Sequence, residues 1–196
     1  MATANSNLAI GDQVFTKVVG YDANGNVTAG TDGANRVRSI GAAGSTAFTR
    51  PADTTGYGAG DVIGSASSAI HEIDLGVPAG ALVQLDTFSL TINRTTVPAG
   101  MGAMVCHLYT AAPAAIADNA AFSASAANRA LYVGSVTLST PAVIGGGFLY
   151  TRADYAGLKV RLTTGSIFAV MSTTAAFTPA SATEYILRAN GVDLGA

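Results

Sequence analysis

The chain has 196 residues, of which 49% are apolar and only 11% charged, with ten Lys and Arg against twelve Asp and Glu for a net charge of -2. That length suffices for one full hydrophobic core, as a single domain or a domain with an arm, while the near-balanced charge and the absence of a basic run exclude the electrostatic footprint of a nucleic-acid binder. Ordinary soluble domains are about one quarter charged, so this chain covers itself with small and hydroxylated residues or hides surface against partners, and partners are the expectation.

Residues 1 to 45 differ in texture from the rest and are read as an N-terminal arm or small hairpin region. They hold one strand candidate, Gln13 to Val19, and then a polar, turn-rich run to Ser45. Asn24-Gly25 and Asp32-Gly33 are short hairpin signals, with a further strand expected at Arg36 to Ile40; an extended arm that orders on a neighbouring subunit fits the same composition. Asp22, Asn24 and Asn26 have the opening spacing of a calcium loop. That reading fails because position six is Val27 rather than Gly and position twelve is Gly33 rather than Glu. Gly41 to Thr46 faintly resembles a phosphate loop but lacks its lysine, and is read as a flexible joint.

Residues 46 to 196 are read as an antiparallel β-sandwich or jelly roll. Phe48 and Arg50 before Pro51 read as a strand end, Tyr57 to Asp61 as a loop, and Val62-Ile63 as the start of the next element. Ala69 to Leu75 alternates, with His71 and Ile73 facing opposite to Ile70 and Glu72. In the apolar stretch from Gly80 to Tyr109, Leu82, Phe88, Leu90 and Ile92 share one parity and Val83 and Leu85 the other. A strand has a period of two, so the apolar face changes sides near Asp86 and Thr87, through a bulge or a passage between layers. Met104, Cys106 and Leu108 alternate with Val105, His107 and Tyr109, a pattern buried on one face and partly buried on the other. Val97 to Gly100 supplies a Pro-Gly turn, read as joining two antiparallel strands.

Ala111 to Phe122 is the best helical candidate, with Pro113 allowed only at its start. Strands are expected at Ala130 to Leu138, Phe148 to Tyr150, Lys159 to Leu162, Ile167 to Met171 and Glu184 to Ala189. Short strands at regular spacing with turn signals between them give an all-β sandwich or jelly roll.

No constellation for catalysis emerges from the residue types, and no catalytic, cofactor-binding or metal site is assigned. His71 and His107 lie in strands without a second His at ligand spacing, so a zinc site would need the fold to assemble it; each reads as a satisfied, half-buried histidine. Neither GxSxG nor HExxH occurs. Glu72 and Asp74 share a strand face, the minimum for a glycosidase pair, but flanking acids on a strand are usually solvated. Cys106, the only cysteine, cannot form an intramolecular disulfide and reads as a small core residue. Asn93-Arg94-Thr95 matches a glycosylation sequon, yet the opening MATANSNLAIGDQ has no secretory signal, and no segment is apolar enough to span a bilayer. Synthesis in a cytoplasm is expected, which is compatible with leaving inside or on a particle. Tyr57, Tyr109 and Tyr155 are read as exposed aromatics for a subunit interface or a carbohydrate platform.

Three stretches carry a family resemblance: FTRPADTTGYGAGDVIG, VPAGMGAMVCHLYTAAPAAIADNAAF and RALYVGSVTL. Together they resemble virion structural proteins of tailed bacteriophages, of the capsid decoration or cement type. The resemblance runs from Thr46 to about Val192. Its most specific parts are Thr49 to Thr55 with Tyr57 and Asp61, and His107-Leu108-Tyr109 followed by Ala117-Asp118-Asn119. It implies a jelly-roll protein on the outer capsid surface, assembled in the host bacterial cytoplasm. Such a protein commonly acts as a homotrimer that binds the major capsid protein and clamps neighbouring subunits, without enzymatic activity, cofactor, direct nucleic-acid contact or membrane. The arm at residues 1 to 45 would then pair with a neighbour's sheet edge. A receptor- or glycan-binding module of a head or tail fibre, or a tail structural protein, is the alternative, with a depolymerase behind it.

Overall fold

A computed structural model describes residues 5–10, 13–18, 20–21, 27–28 and 40–195. The chain forms two units, Met1–Val37 and Arg38–Ala196. In the first, β1 (Asn5–Ile10) pairs antiparallel with β2 (Gln13–Val18), and β3 (Gly20–Tyr21) with β4 (Val27–Thr28). The second pair brackets the expected hairpin at Asn24-Gly25. The calcium-loop residues Asp22, Asn24 and Asn26 and the turn at Asp32-Gly33 lie outside the described residues.

The second unit is an antiparallel β-sandwich. One sheet has the order β11-β12-β8-β14-β5, built from β5 (Ile40–Thr49), β8 (Leu82–Ile92), β11 (Ala142–Ile144), β12 (Phe148–Arg161) and β14 (Glu184–Asp193). The other has β10 (Tyr132–Leu138), β9 (Met104–Tyr109) and β13 (Ser166–Thr173) in sequence, with β6 (Val62–Ile63) and β7 (Ile70–Asp74) sharing the far side of β13. The inner faces meet in one core that includes Leu85, Phe88 and Leu90 from the first sheet and Cys106, Leu108 and Met171 from the second. Each such fully buried side chain contributes about 1.5–3 kcal/mol of transfer free energy. At one corner the sheets approach closely, and Ala43 N donates to Leu75 O at 3.3 Å.

The parity switch in β8 is a bulge. Thr87 pairs with Asn190 and Asp154, Leu85 with Gly191 and Leu158, and residues 155–157 of β12 oppose Asp86 alone. Val83 and Leu85 before it and Phe88, Leu90 and Ile92 after it are therefore all buried. Asp86, unpaired on the β14 side, is the extra residue that resets β8 so that both parities reach one core.

Several expectations are corrected. β8 and β9 lie in opposite sheets, so Val97 to Gly100 arches across the sandwich instead of closing a paired hairpin. The division at residue 45 falls inside β5, whose ten residues all pair with β14, and Gly41 to Thr46 is strand rather than joint. Phe148 to Tyr150 and Lys159 to Arg161 are parts of the single strand β12. Ala111 to Phe122 is irregular, and among the described residues the helical segment is a 3-10 turn at Ala126–Ala130. Alanine favours helix, but this backbone is committed elsewhere: Val62 N donates to Ala120 O, Asn119 N to Val62 O and Phe122 N to Gly60 O, at 2.8–2.9 Å. Those bonds lay the segment over the outer face of the second sheet, where Ile116, Phe122 and Leu131 cover Tyr109, Phe168 and Val170. This cover explains why every residue of β13 is buried.

Candidate functional site

Two polar assemblies stand out, one buried and one open. The buried one begins at Arg50, just past the end of β5, whose side chain has no exposed surface. Its Nε donates to the Tyr57 hydroxyl, Nη1 to Asp53 O at 3.0 Å, and Nη2 to Asp53 Oδ1 at 3.0 Å and Asp118 Oδ2 at 3.5 Å. The guanidinium also lies 4.9 Å from the centre of the Tyr57 ring. Tyr57 donates to Asp118 Oδ1 at 2.7 Å, and the same oxygen accepts from Gly64 N at 2.8 Å.

The fold assembles this latch by bridging Tyr57 to Phe177 and by laying the Ala111 to Phe122 segment across β6. Burial alone would lower the Arg50 pKa, yet Tyr57, Asp53 and Asp118 outweigh it and leave it raised. Burial and then the bond to Asp118 push the Tyr57 phenol well above its ordinary value. Arg50, Tyr57 and Asp118, a fixed cation, a protonated phenol and a largely buried carboxylate bonded to one another, make a structural staple.

The open assembly is a concavity of about 390 Å³ over β9 and β10, lined by His107, Tyr109, Phe122, Asn128, Arg129 and Tyr132 among others. His107 stacks on Phe122 with ring centres 3.6 Å apart, and Tyr109 meets Tyr132 edge-on at 5.4 Å. His107 Nε2 lies 3.1 Å from Ser172 Oγ, while its Nδ1 is buried without a partner. Burial pulls the His107 pKa down to about 4, so the ring is neutral at pH 7. Asn128 Oδ1 accepts from Ala114 N at 3.0 Å, which pins the turn to the covering segment.

The remaining sequence candidates fall apart in space or turn inward. His71 is buried, stacked 3.9 Å from Phe48, with Nε2 at 3.1 Å from Ile63 O. Cys106 is fully buried, and burial raises its thiol to about 12. Glu72 and Asp74 share the exposed face of β7, and Asp74 Oδ1 accepts from Gly76 N at 2.9 Å to close the strand end. Asn93 of the sequon follows β8, its backbone N donating to Glu184 O at 3.0 Å. Among the described residues no three His, Cys, Asp or Glu side chains converge on a possible metal position.

The tyrosines correct the sequence reading, since Tyr57 and Tyr109 are 3% and 1% exposed and Tyr155 is half-buried. Among the described residues it is Tyr132 that is exposed, at 43%. Sequence reasoning missed Phe122, Asn128, Arg129 and Tyr132 as a group because they surround β9 only after the covering segment folds back.

No protein-family model matches this chain, and no curated protein matches it. Arg50, Asp53 and Tyr57, from one of the stretches singled out in the sequence, and Asp118, from another, are the members of the staple.

Proposed function

We propose that this chain is a non-enzymatic structural protein of a tailed-phage virion. It decorates and cements the outer capsid surface by binding the major capsid protein lattice as a homotrimer, after assembly in the host cytoplasm. A jelly-roll connectivity for the sandwich belongs to the same reading.

The observation that carries it is the β11–β12 hairpin. Val143, Ile144 and Phe148, 38–46% exposed, project from it at the edge of the first sheet. Native proteins protect edge strands with charge, bulges or a covering element. An apolar edge left open favours a protein that is covered by association. The staple supports the same role, because it ties distant segments of the chain rigidly together.

The test is the mass of the purified protein, followed by co-sedimentation with empty capsids. A trimer that pellets at near-stoichiometric occupancy is expected, with Ile144→Asp leaving thermal stability unchanged and abolishing pelleting. Protein that remains in the supernatant would overturn the reading. A second reading, a glycan-binding module of a head or tail fibre, is favoured by the open aromatic cleft at Tyr132.

A further inference from the structure

We infer that the cleft over β9 and β10 is a binding site for a carboxylate-bearing sugar residue, such as a uronate within an acidic polysaccharide. The inference deepens the glycan-binding reading and rests on it. The cleft's volume of about 390 Å³ lies at the lower end of the range for small-ligand sites, and its walls are mainly apolar with a few polar groups, as such sites require.

The ring faces come first. Phe122 is held by its stack on His107, and Tyr132 by its edge contact with Tyr109, yet Tyr132 keeps 43% of its surface exposed. An immobilised, half-open aromatic ring offers apolar area and a polar tip at low entropic cost. That is what the C–H face of a pyranose needs. A fully apolar ligand would be poorly served, since Asn128, Ser125 and Arg129 line the same concavity.

Charge narrows the class. Arg129 is the one lining residue with a formal charge at neutral pH, because His107 is neutral there and no acid lines the cleft. Among the described residues Arg129 has no salt-bridge partner. A guanidinium pairs bidentately with a planar carboxylate, which gives both direction and strength. A single cation suits one carboxylate better than a doubly charged phosphate.

Hydrogen bonding adds hydroxyl recognition. His107 is held in the cleft wall, its Nε2 3.1 Å from Ser172 Oγ and its ring stacked on Phe122. The Asn128 side chain is anchored through its Oδ1, so its NH2 retains donors for the ligand.

The experiment is calorimetric titration of the full chain with a galacturonate trisaccharide and with its methyl-esterified, uncharged counterpart. Galacturonic acid alone and a short peptide with a free C-terminal carboxylate are titrated beside them. The acidic trisaccharide should bind, and esterification should weaken it by about tenfold or more, the loss of a charge-assisted bond. Arg129→Gln should cost the acid a similar factor and leave the ester unchanged, whereas Tyr132→Ala should weaken both sugars. Both residues are exposed, so an unchanged melting temperature verifies that each variant folds.

Binding of the monosaccharide as tightly as the trisaccharide would still support the site while pointing to a free acid as its ligand. Equal binding of acid and ester would overturn the carboxylate inference and leave glycan binding standing. No binding by any sugar would overturn both. Binding by the peptide alone would overturn both in favour of a protein terminus.

Discussion

Arg50 holds a full charge with no exposed side-chain surface, and its two carboxylate partners differ in exposure: Asp118 is 9% exposed and Asp53 48%. Removing one partner of a buried pair strands the other charge and costs about 3–5 kcal/mol, while an exposed pair is worth at most about 1. Asp118→Ala should therefore lower stability in urea unfolding by several times the effect of Asp53→Ala; equal effects would place the staple's strength elsewhere. The histidines set an acid limit by a different route. Burial lowers the pKa of both His71 and His107, the latter to about 4 from 6.5. Between those values the unfolded chain binds protons that the native rings resist, so their contribution to stability is present above about pH 6.5 and lost as pH falls toward 4. Melting temperature should decline across that window, and His107→Gln should make the decline shallower. Tyr57 illustrates why these roles could not be read in advance. An aromatic in a Gly-rich run looks like a surface residue, and its partner Asp118 lies 61 positions away.

The β5 strand shows how one small side chain sets the packing of an element. A Cβ on Gly44 would overlap the carbonyl oxygen of Asp74, where β5 and β7 close the corner of the sandwich, whereas a Cβ on Gly41 would meet nothing within 4 Å. Gly44→Ala should cost about 1–3 kcal/mol by forcing the corner apart. Gly41→Ala should be neutral or stabilise by up to about 1 kcal/mol through lost unfolded-state freedom. Gly191 repeats the case at the β8 bulge, where an added Cβ would collide with the backbone of Gln84. Alternation in β8 revealed a change of face around Asp86, a signal confined to one strand, and the pairing with its neighbours makes that change a bulge. The covering segment gave no such signal. Its Ala-rich composition favours helix, and hydrogen bonds to Gly60 and Val62, more than fifty positions earlier, help keep it irregular.

For the whole molecule, the two units give a direct test of where the sandwich begins. Deleting Met1 to Val37 removes one unit and should leave the melting temperature of the other unchanged. Deleting through Ser45 also strips Ile40 to Ser45 from β14, six of the ten pairs that β5 makes, and should lower it clearly. If the first unit makes the proposed inter-subunit contacts, the shorter deletion should abolish capsid co-sedimentation while preserving the fold. The sequence by itself determined the class of architecture, the places of most strands, the change of apolar face in β8 and the inward face of β9. These depend on period-two patterning and turn residues within a few positions of one another. Tertiary structure alone decided which strands share a sheet, the burial of Tyr57 and Tyr109, the Arg50 staple and the grouping of Tyr132, Arg129 and Asn128 around His107. Those arrangements depend on contacts between distant segments, and local patterning does not encode which segments meet.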